Sequence, residues 1–137
     1  MSSKWSDRTE ILIGKDGIEK LENAKVLIYG IGGVGSFAVE GLARAGVGNL
    51  ILVDEDEIDV TNINRQIHAT SKTVGKKKVD VMKERILEIN PCAKVETYLP
   101  STLGNEEDLI DENITYVIDA VDTITTKLKI IKKAKEK

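Results

Sequence analysis

Six residues constrain this chain more than any others. Gly30-Ile31-Gly32-Gly33-Val34-Gly35 follows the apolar run Lys25–Tyr29 and precedes residues 36–45, where small and apolar side chains recur at helical spacing. Gly30, Gly32 and Gly35 satisfy G-x-G-x-x-G between a predicted strand and a predicted helix, the context in which that pattern is informative. Such glycines permit a tight turn and let a phosphate approach the backbone amides. The helix start beyond them offers unpaired N–H groups and a positive dipole end. Asp54 closes the next apolar run, Asn49–Val53, 24 residues after Gly30. A carboxylate there can accept hydrogen bonds from ribose hydroxyls. The alternative is that these glycines serve only a tight strand-to-helix turn.

The rest of the chain extends the same architecture. Residues 25–29 and 49–53 lack polar alternation, as strands buried on both faces do. Residues 75–90 read as a helix, with Val79, Met82, Ile86 and Ile89 at spacings of three and four, stopped by Pro91. Residues 94–99 and 115–119 read as strands, 105–112 as a short acidic helix, and 123–137 as a helix with Ile124, Leu128, Ile131 and Ala134 on one face. Alternating strands and helices give a parallel sheet. The expected fold is α/β and Rossmann-like, strand order 3-2-1-4, with helices on both faces. Residues 1–24 form an N-terminal helical segment before this unit, which occupies 25–137. Its helix, 8–23, carries Ile11, Leu12, Ile18 and Leu21, breaks near Gly14 and Gly17, and is expected to lie across the main domain. Domains of this kind usually carry about six strands, so the 137 residues read as a small variant or the front part of a longer protein.

Composition limits the function classes. No apolar stretch approaches the roughly 18 residues of a membrane span, and the first ten residues lack the apolar segment of a secretory signal. A lone cysteine, Cys92, can form neither an internal disulfide nor a zinc cage by itself. These features point to the cytoplasm. The net charge is -3, yet residues 127–137 alone hold six Lys and one Glu, which leaves the other 126 residues at -8. An acidic body argues against non-specific wrapping of nucleic acid, DNA included, and leaves room for a local basic patch that binds RNA. The Lys-rich end reads first as a solvated helix face.

The glycine loop does not say which nucleotide binds. A nicotinamide dinucleotide needs only the glycines and Asp54. This chain adds Arg65 and Lys78 downstream of the second strand, and Asp122 just past the fourth, at the carboxyl edge where ligands bind. Two cations and a carboxylate around a polyphosphate suit ATP with Mg2+: the cations neutralise charge as the α-phosphate is attacked, and the carboxylate holds the metal. Each of the three could alone be a surface charge. His68, the only histidine, reads as a structural hydrogen bond ahead of a substrate contact. Cys92 reads as a small structural residue, and Lys76 and Lys77 as solvated charges at a helix start.

Seven blocks carry a family resemblance: Gly30-Ile-Gly-Gly-Val-Gly35, Ala45-Gly-Val-Gly-Asn-Leu50, Val53-Asp-Glu-Asp56, Thr61-Asn-Ile-Asn-Arg-Gln66, Thr73-Val-Gly75 followed by Lys78, Ile89-Asn-Pro91, and Val117-Ile-Asp-Ala-Val-Asp122. With these the chain resembles the ThiF/MoeB/HesA superfamily of ubiquitin-activating-enzyme-like adenylyltransferases. The stretches Asn62-Ile-Asn-Arg-Gln-Ile-His-Ala69 and Arg8-Thr-Glu-Ile-Leu-Ile-Gly14 look most like its tRNA threonylcarbamoyladenosine dehydratase branch. The resemblance implies adenylation of the threonylcarbamoyladenosine carboxylate in tRNA, then ring closure by its ureido group with release of AMP. It implies that Gly33 and its neighbours cradle ATP, that Asp56 and Asn62 line the pocket, that Arg65, Gln66 and Lys78 contact phosphates, and that Asp122 holds magnesium. It implies a homodimer in which Arg8 reaches the ATP of the other subunit. The rival readings are an adenylyltransferase acting on a sulfur-carrier or sulfur-transfer protein, a nucleotide-binding fragment without turnover, and an NAD-dependent oxidoreductase.

Overall fold

The computed structural model describes residues 4–121 and 124–136. A helix, α1 (Asp7–Asn23), leads into β1 (Lys25–Tyr29), α2 (Gly33–Ala45), β2 (Asn49–Val53), α3 (Lys78–Ile89), β3 (Lys94–Tyr98), β4 (Tyr116–Asp119) and α4 (Ile124–Glu136). The four strands form one sheet in the order β3-β2-β1-β4, and every pairing is parallel. This is the expected Rossmann-like arrangement.

Strand periodicity explains the two-faced core. Successive side chains point to opposite faces, so Val26 and Ile28 of β1 join Leu50 and Leu52 of β2 in a cluster with Val39, Ala43, Val79, Met82 and Ile86 from α2 and α3. The alternate residues Leu27, Tyr29, Ile51 and Val53 meet Ile110 and Ile130 on the other face. Burying one such aliphatic side chain contributes about 1.5–3 kcal/mol. Apolar residues at every position of β1 and β2 after the first, Lys25 and Asn49, are therefore what a sheet covered on both faces requires. Across the first face, Glu40 of α2 accepts hydrogen bonds from Arg44 at 2.8 Å and from Arg85 of α3 at 3.1 Å.

Four expectations need correction. The third helix begins at Lys78, not Gly75, because residues 75–77 turn back on the preceding loop: Gly75 N–H donates to Ile58 O, Ile58 N–H to Lys76 O, and Glu57 bridges to Lys77. The acidic segment makes only a 3-10 turn, Glu106–Leu109. The α1 helix does not lie across the domain along its length. It breaks at Gly14, with Ile11 82% and Leu12 84% exposed, and docks by its last turn, where Leu21 O accepts the Gly48 N–H. On α4 the inward residues are Ile130 and Ala134, while Leu128 and Ile131 are 62% and 47% exposed. The helical spacing holds and Ala134 faces inward as expected, but Leu128 and Ile131 do not, and Ile130 takes the buried position. The Ile124 side chain lies outside the described residues.

Candidate nucleotide site at the carboxyl edge of the sheet

The sheet ends in a cleft of about 710 Å³, lined by Gly30, Gly32, Gly33, Asp54, Asp56, Asn62, Arg65, Gln66 and Lys78, with Val121 past β4. Its floor is the glycine loop. Gly30 has φ +91, and a Cβ there would sit 2.6 Å from Ala120 O, so the turn excludes a side chain on both grounds. A Cβ on Gly35 would lie 1.8 Å from Gly30 O, which is how closely α2 approaches the strand end. Gly35 is therefore spent on packing and does not line the cleft. Among the described residues, no backbone acceptor takes the N–H groups of Gly32, Gly33 or Val34, and the first intrahelical donor is Ser36, to Gly32 O at 2.9 Å. Helix starts leave such donors free, and here they border the cleft.

Asp54 is fastened from below. One carboxylate oxygen accepts the Ile31 N–H at 2.7 Å and the other accepts the Asp56 N–H at 2.7 Å. The loop after β2 closes one wall. Ile67 N–H donates to Ser36 Oγ, and His68 Nε2 lies 2.8 Å from Ile31 O. Gln66 is buried, with its side-chain Oε1 lacking a partner. Asn62 is also buried, and its Oδ1 accepts the Asp59 N–H in a capping box, so its first duty is to shape the loop. Arg65 is exposed at the rim and donates from one guanidinium nitrogen to Thr61 O and Asn64 Oδ1.

Lys78 is the cation built into the wall. It opens α3, is 6% exposed, donates its N–H to Asp56 O, and holds Nζ 3.7 Å from Asp56 Oδ2. A buried ammonium whose carboxylate partner stands that far off and is itself exposed has charge to offer a ligand. Burial pushes the His68 imidazole below its ordinary value; the Ile31 carbonyl and Asp54 oppose this, and the charges of Lys78 and Arg85 add to it. Outside the cleft, burial alone would raise the Glu40 carboxyl, but Arg85 and Arg44 overcome this and hold it below the usual range.

The structure thus brings together Gly30, Gly32, Gly33, Asp54, Asp56, Asn62, Arg65, Gln66 and Lys78. Asp122 lies outside the described residues. Arg8 is exposed at the start of α1 and is not part of the cleft lining. Among the described residues, no group of three or more His, Cys, Asp or Glu could hold a metal ion, and no helix is long and apolar enough to cross a membrane. Cys92 is exposed, which corrects its reading as a structural residue. It borders a smaller cavity of about 340 Å³ with Trp5, Asn49 and Lys94. Lys77 pairs with Glu57 at 3.9 Å, and Lys76 is exposed. Ser36, Glu55 and Pro100 were missed. Ser36 had a signal in its place just after the third glycine and Glu55 in its place between Asp54 and Asp56; Pro100 comes to the cleft only through the pairing of β3 with β2.

Comparison with known proteins agrees with this geometry. Residues 7–137 match the ThiF family model. The chain is 51% identical over 126 residues, 91% of its length, to the tRNA threonylcarbamoyladenosine dehydratase of Bacillus subtilis (strain 168), of which it covers 50%. It superposes with a TM-score of 0.86 and 38% identity on the E. coli tRNA N6-threonylcarbamoyladenosine dehydratase TcdA in complex with ATP, covering 98% of this chain and 57% of that one. It is also 36% identical over 116 residues to a sulfur carrier protein adenylyltransferase of Thermus thermophilus, covering 84% of this chain and 42% of the relative. The chain spans about half the length of these two dehydratases.

Proposed function

We propose, on the premise that the chain belongs to the ThiF family, that its cleft binds ATP and serves adenylation of a carboxylate, that of threonylcarbamoyladenosine in tRNA. The observation that carries this reading is the buried Lys78 ammonium in the same cleft as the side-chain-free Gly32–Gly33 amides. A polyphosphate needs both: amides to receive its oxygens and a cation to neutralise its charge. The dehydratase relatives supply the substrate, and in this reading residues 25–137 are the nucleotide-binding unit and 1–24 the segment before it.

In that chemistry the loop amides and the start of α2 receive phosphate oxygens. The Asp54 oxygens keep lone pairs for ribose hydroxyls beyond the two amides they hold. Lys78 and Arg65 neutralise charge that moves onto the departing pyrophosphate as the substrate carboxylate bonds to the α-phosphorus. The ureido group then attacks the activated carbonyl and loses a proton, and AMP leaves with the former carboxylate oxygen. The net change is loss of water. Asp122 is our candidate for holding magnesium with the phosphates. In the same reading two copies of the chain pair, Arg8 contacts the partner's nucleotide, and the enzyme works in the cytoplasm.

The likeness to the Thermus sulfur carrier protein adenylyltransferase favours a second reading, in which the activated carboxylate ends a ubiquitin-like carrier. Pyrophosphate–ATP exchange separates the two. Stimulation by tRNA bearing threonylcarbamoyladenosine supports the first, and stimulation by a carrier protein selects the second. Exchange with neither contradicts both.

A further inference from the structure

We infer that His68 is a positioning residue that holds the glycine loop in its anion-receiving conformation, by fixing the peptide between Ile31 and Gly32. The inference deepens the ATP-binding reading above and rests on it for its ligand.

The geometry begins at Ile31, which is fully buried and fastened from two sides. Its N–H donates to Asp54 Oδ2 at 2.7 Å, and its carbonyl lies 2.8 Å from His68 Nε2. A carbonyl oxygen can only accept, so Nε2 carries the proton and the ring is the Nε2–H tautomer. The Ile31 carbonyl and the Gly32 N–H belong to one planar trans peptide and point in opposite directions. Holding the carbonyl against His68 therefore aims the Gly32 N–H away from it. That N–H has no backbone acceptor among the described residues, and Gly32 lines the cleft where His68 does not. Glycine places little restraint on the peptide before it. Without the bond, that peptide is free to turn its carbonyl toward the cleft and present the wrong charge to a phosphate.

Packing alone does not account for a histidine here. His68 is 1% exposed, and its Nδ1 is buried without a partner. A leucine would fill such a site without stranding a polar atom, and a stranded buried acceptor is costly. The bond that offsets this cost is the one to the loop. The same segment is stitched to the loop's other end by the Ile67 N–H on Ser36 Oγ, and Thr73 Oγ1 donates to His68 O and so holds His68 itself. The wall that carries Arg65 and Gln66 and the floor that carries the amides are thus set by one residue between them.

The test compares the wild-type chain with His68→Gln and His68→Leu. The Gln side-chain amide can donate from the position of Nε2; Leu cannot donate. Three readings are taken on each protein, at a temperature where it is folded: urea stability, the amide signal and hydrogen exchange of Gly32 without nucleotide, and affinity for ATP with magnesium. We expect His68→Leu to shift the Gly32 amide, speed its exchange and weaken ATP binding about 10-fold, the worth of one lost hydrogen bond. His68→Gln should restore both to near wild type even where its stability stays lowered. A folded His68→Leu protein with an unchanged Gly32 amide and wild-type affinity overturns the inference, since only stability then depends on the ring. If His68→Leu does not fold, nitrogen shifts of the wild-type ring decide: a proton on Nδ1 overturns the inference and a proton on Nε2 upholds it. A wild-type chain that binds no ATP sinks the nucleotide reading, while the Gly32 amide still judges His68.

Discussion

Two regions of the molecule are built to different standards. Around the cleft, Ile31 has both backbone groups bonded, Asp54 has both oxygens engaged, and Lys78, Gln66 and His68 are buried polar groups packed into the walls. At the periphery, α1 and α4 present Ile11, Leu12, Leu128 and Ile131 to solvent. The first region is fixed by short-range bonds between segments that the sheet brings together. In the second, α1 is held at its last turn and α4 by Ile130 and Ala134, and the outer faces of both helices stay open. Local over-determination marks the half that meets a ligand.

Substitutions sharpen this contrast. The largest effect should come from Gly35→Ala, because the new methyl would stand 1.8 Å from the Gly30 carbonyl and something must move. We expect a loss of about 3 kcal/mol in urea unfolding, together with loss of nucleotide binding. Lys78→Ala should reduce adenylate formation about 100-fold, as removal of one preorganised electrostatic donor does, and weaken ATP binding by less. Single-turnover kinetics separates the two, and near-normal turnover removes Lys78 from the mechanism.

Glu40→Gln should cost about 1–2 kcal/mol, below the figure for a buried pair because Arg44 and Arg85 are partly exposed. Its carboxyl is held low in the folded state, so its contribution is present above the unfolded carboxylate range and is lost as pH falls through the folded value. Urea melts between pH 6 and pH 3 should therefore fall less steeply for Glu40→Gln. His68 adds a higher step. Its folded value lies below the ordinary 6.5, so stability falls as pH drops below that point, and His68→Gln should remove this step. The smallest effect belongs to Leu12→Ser, under about 0.5 kcal/mol in the folded monomer. A large destabilisation would show that α1 is covered, and the contrast between the two regions would fail.

What the sequence disclosed follows the same division. The strands of β1 and β2, the order 3-2-1-4 and the gathering of Gly30, Asp54, Arg65 and Lys78 were legible because each depends on fixed local spacing or on the geometry of a parallel sheet. The buried side of α4 was legible only in part: Ala134 follows both Ile131 and Ile130 at helical spacing, and only the sheet decides that Ile130 goes in while Leu128 and Ile131 stay out. The start of α3 was misplaced because residues 75–77 are claimed by Ile58 and Glu57, partners nearly twenty residues away. The three glycines looked alike in the motif. In the fold, Gly30 and Gly32 line the cleft, and Gly35 serves packing.

The central claim is that the cleft is made for a triphosphate. Calorimetric titration of the 137-residue chain with ATP and magnesium, and separately with NAD, tests it most directly. The account predicts tighter binding of ATP, with the preference reduced in Lys78→Ala. Equal or tighter binding of NAD would contradict it and return the glycine loop to a dinucleotide reading.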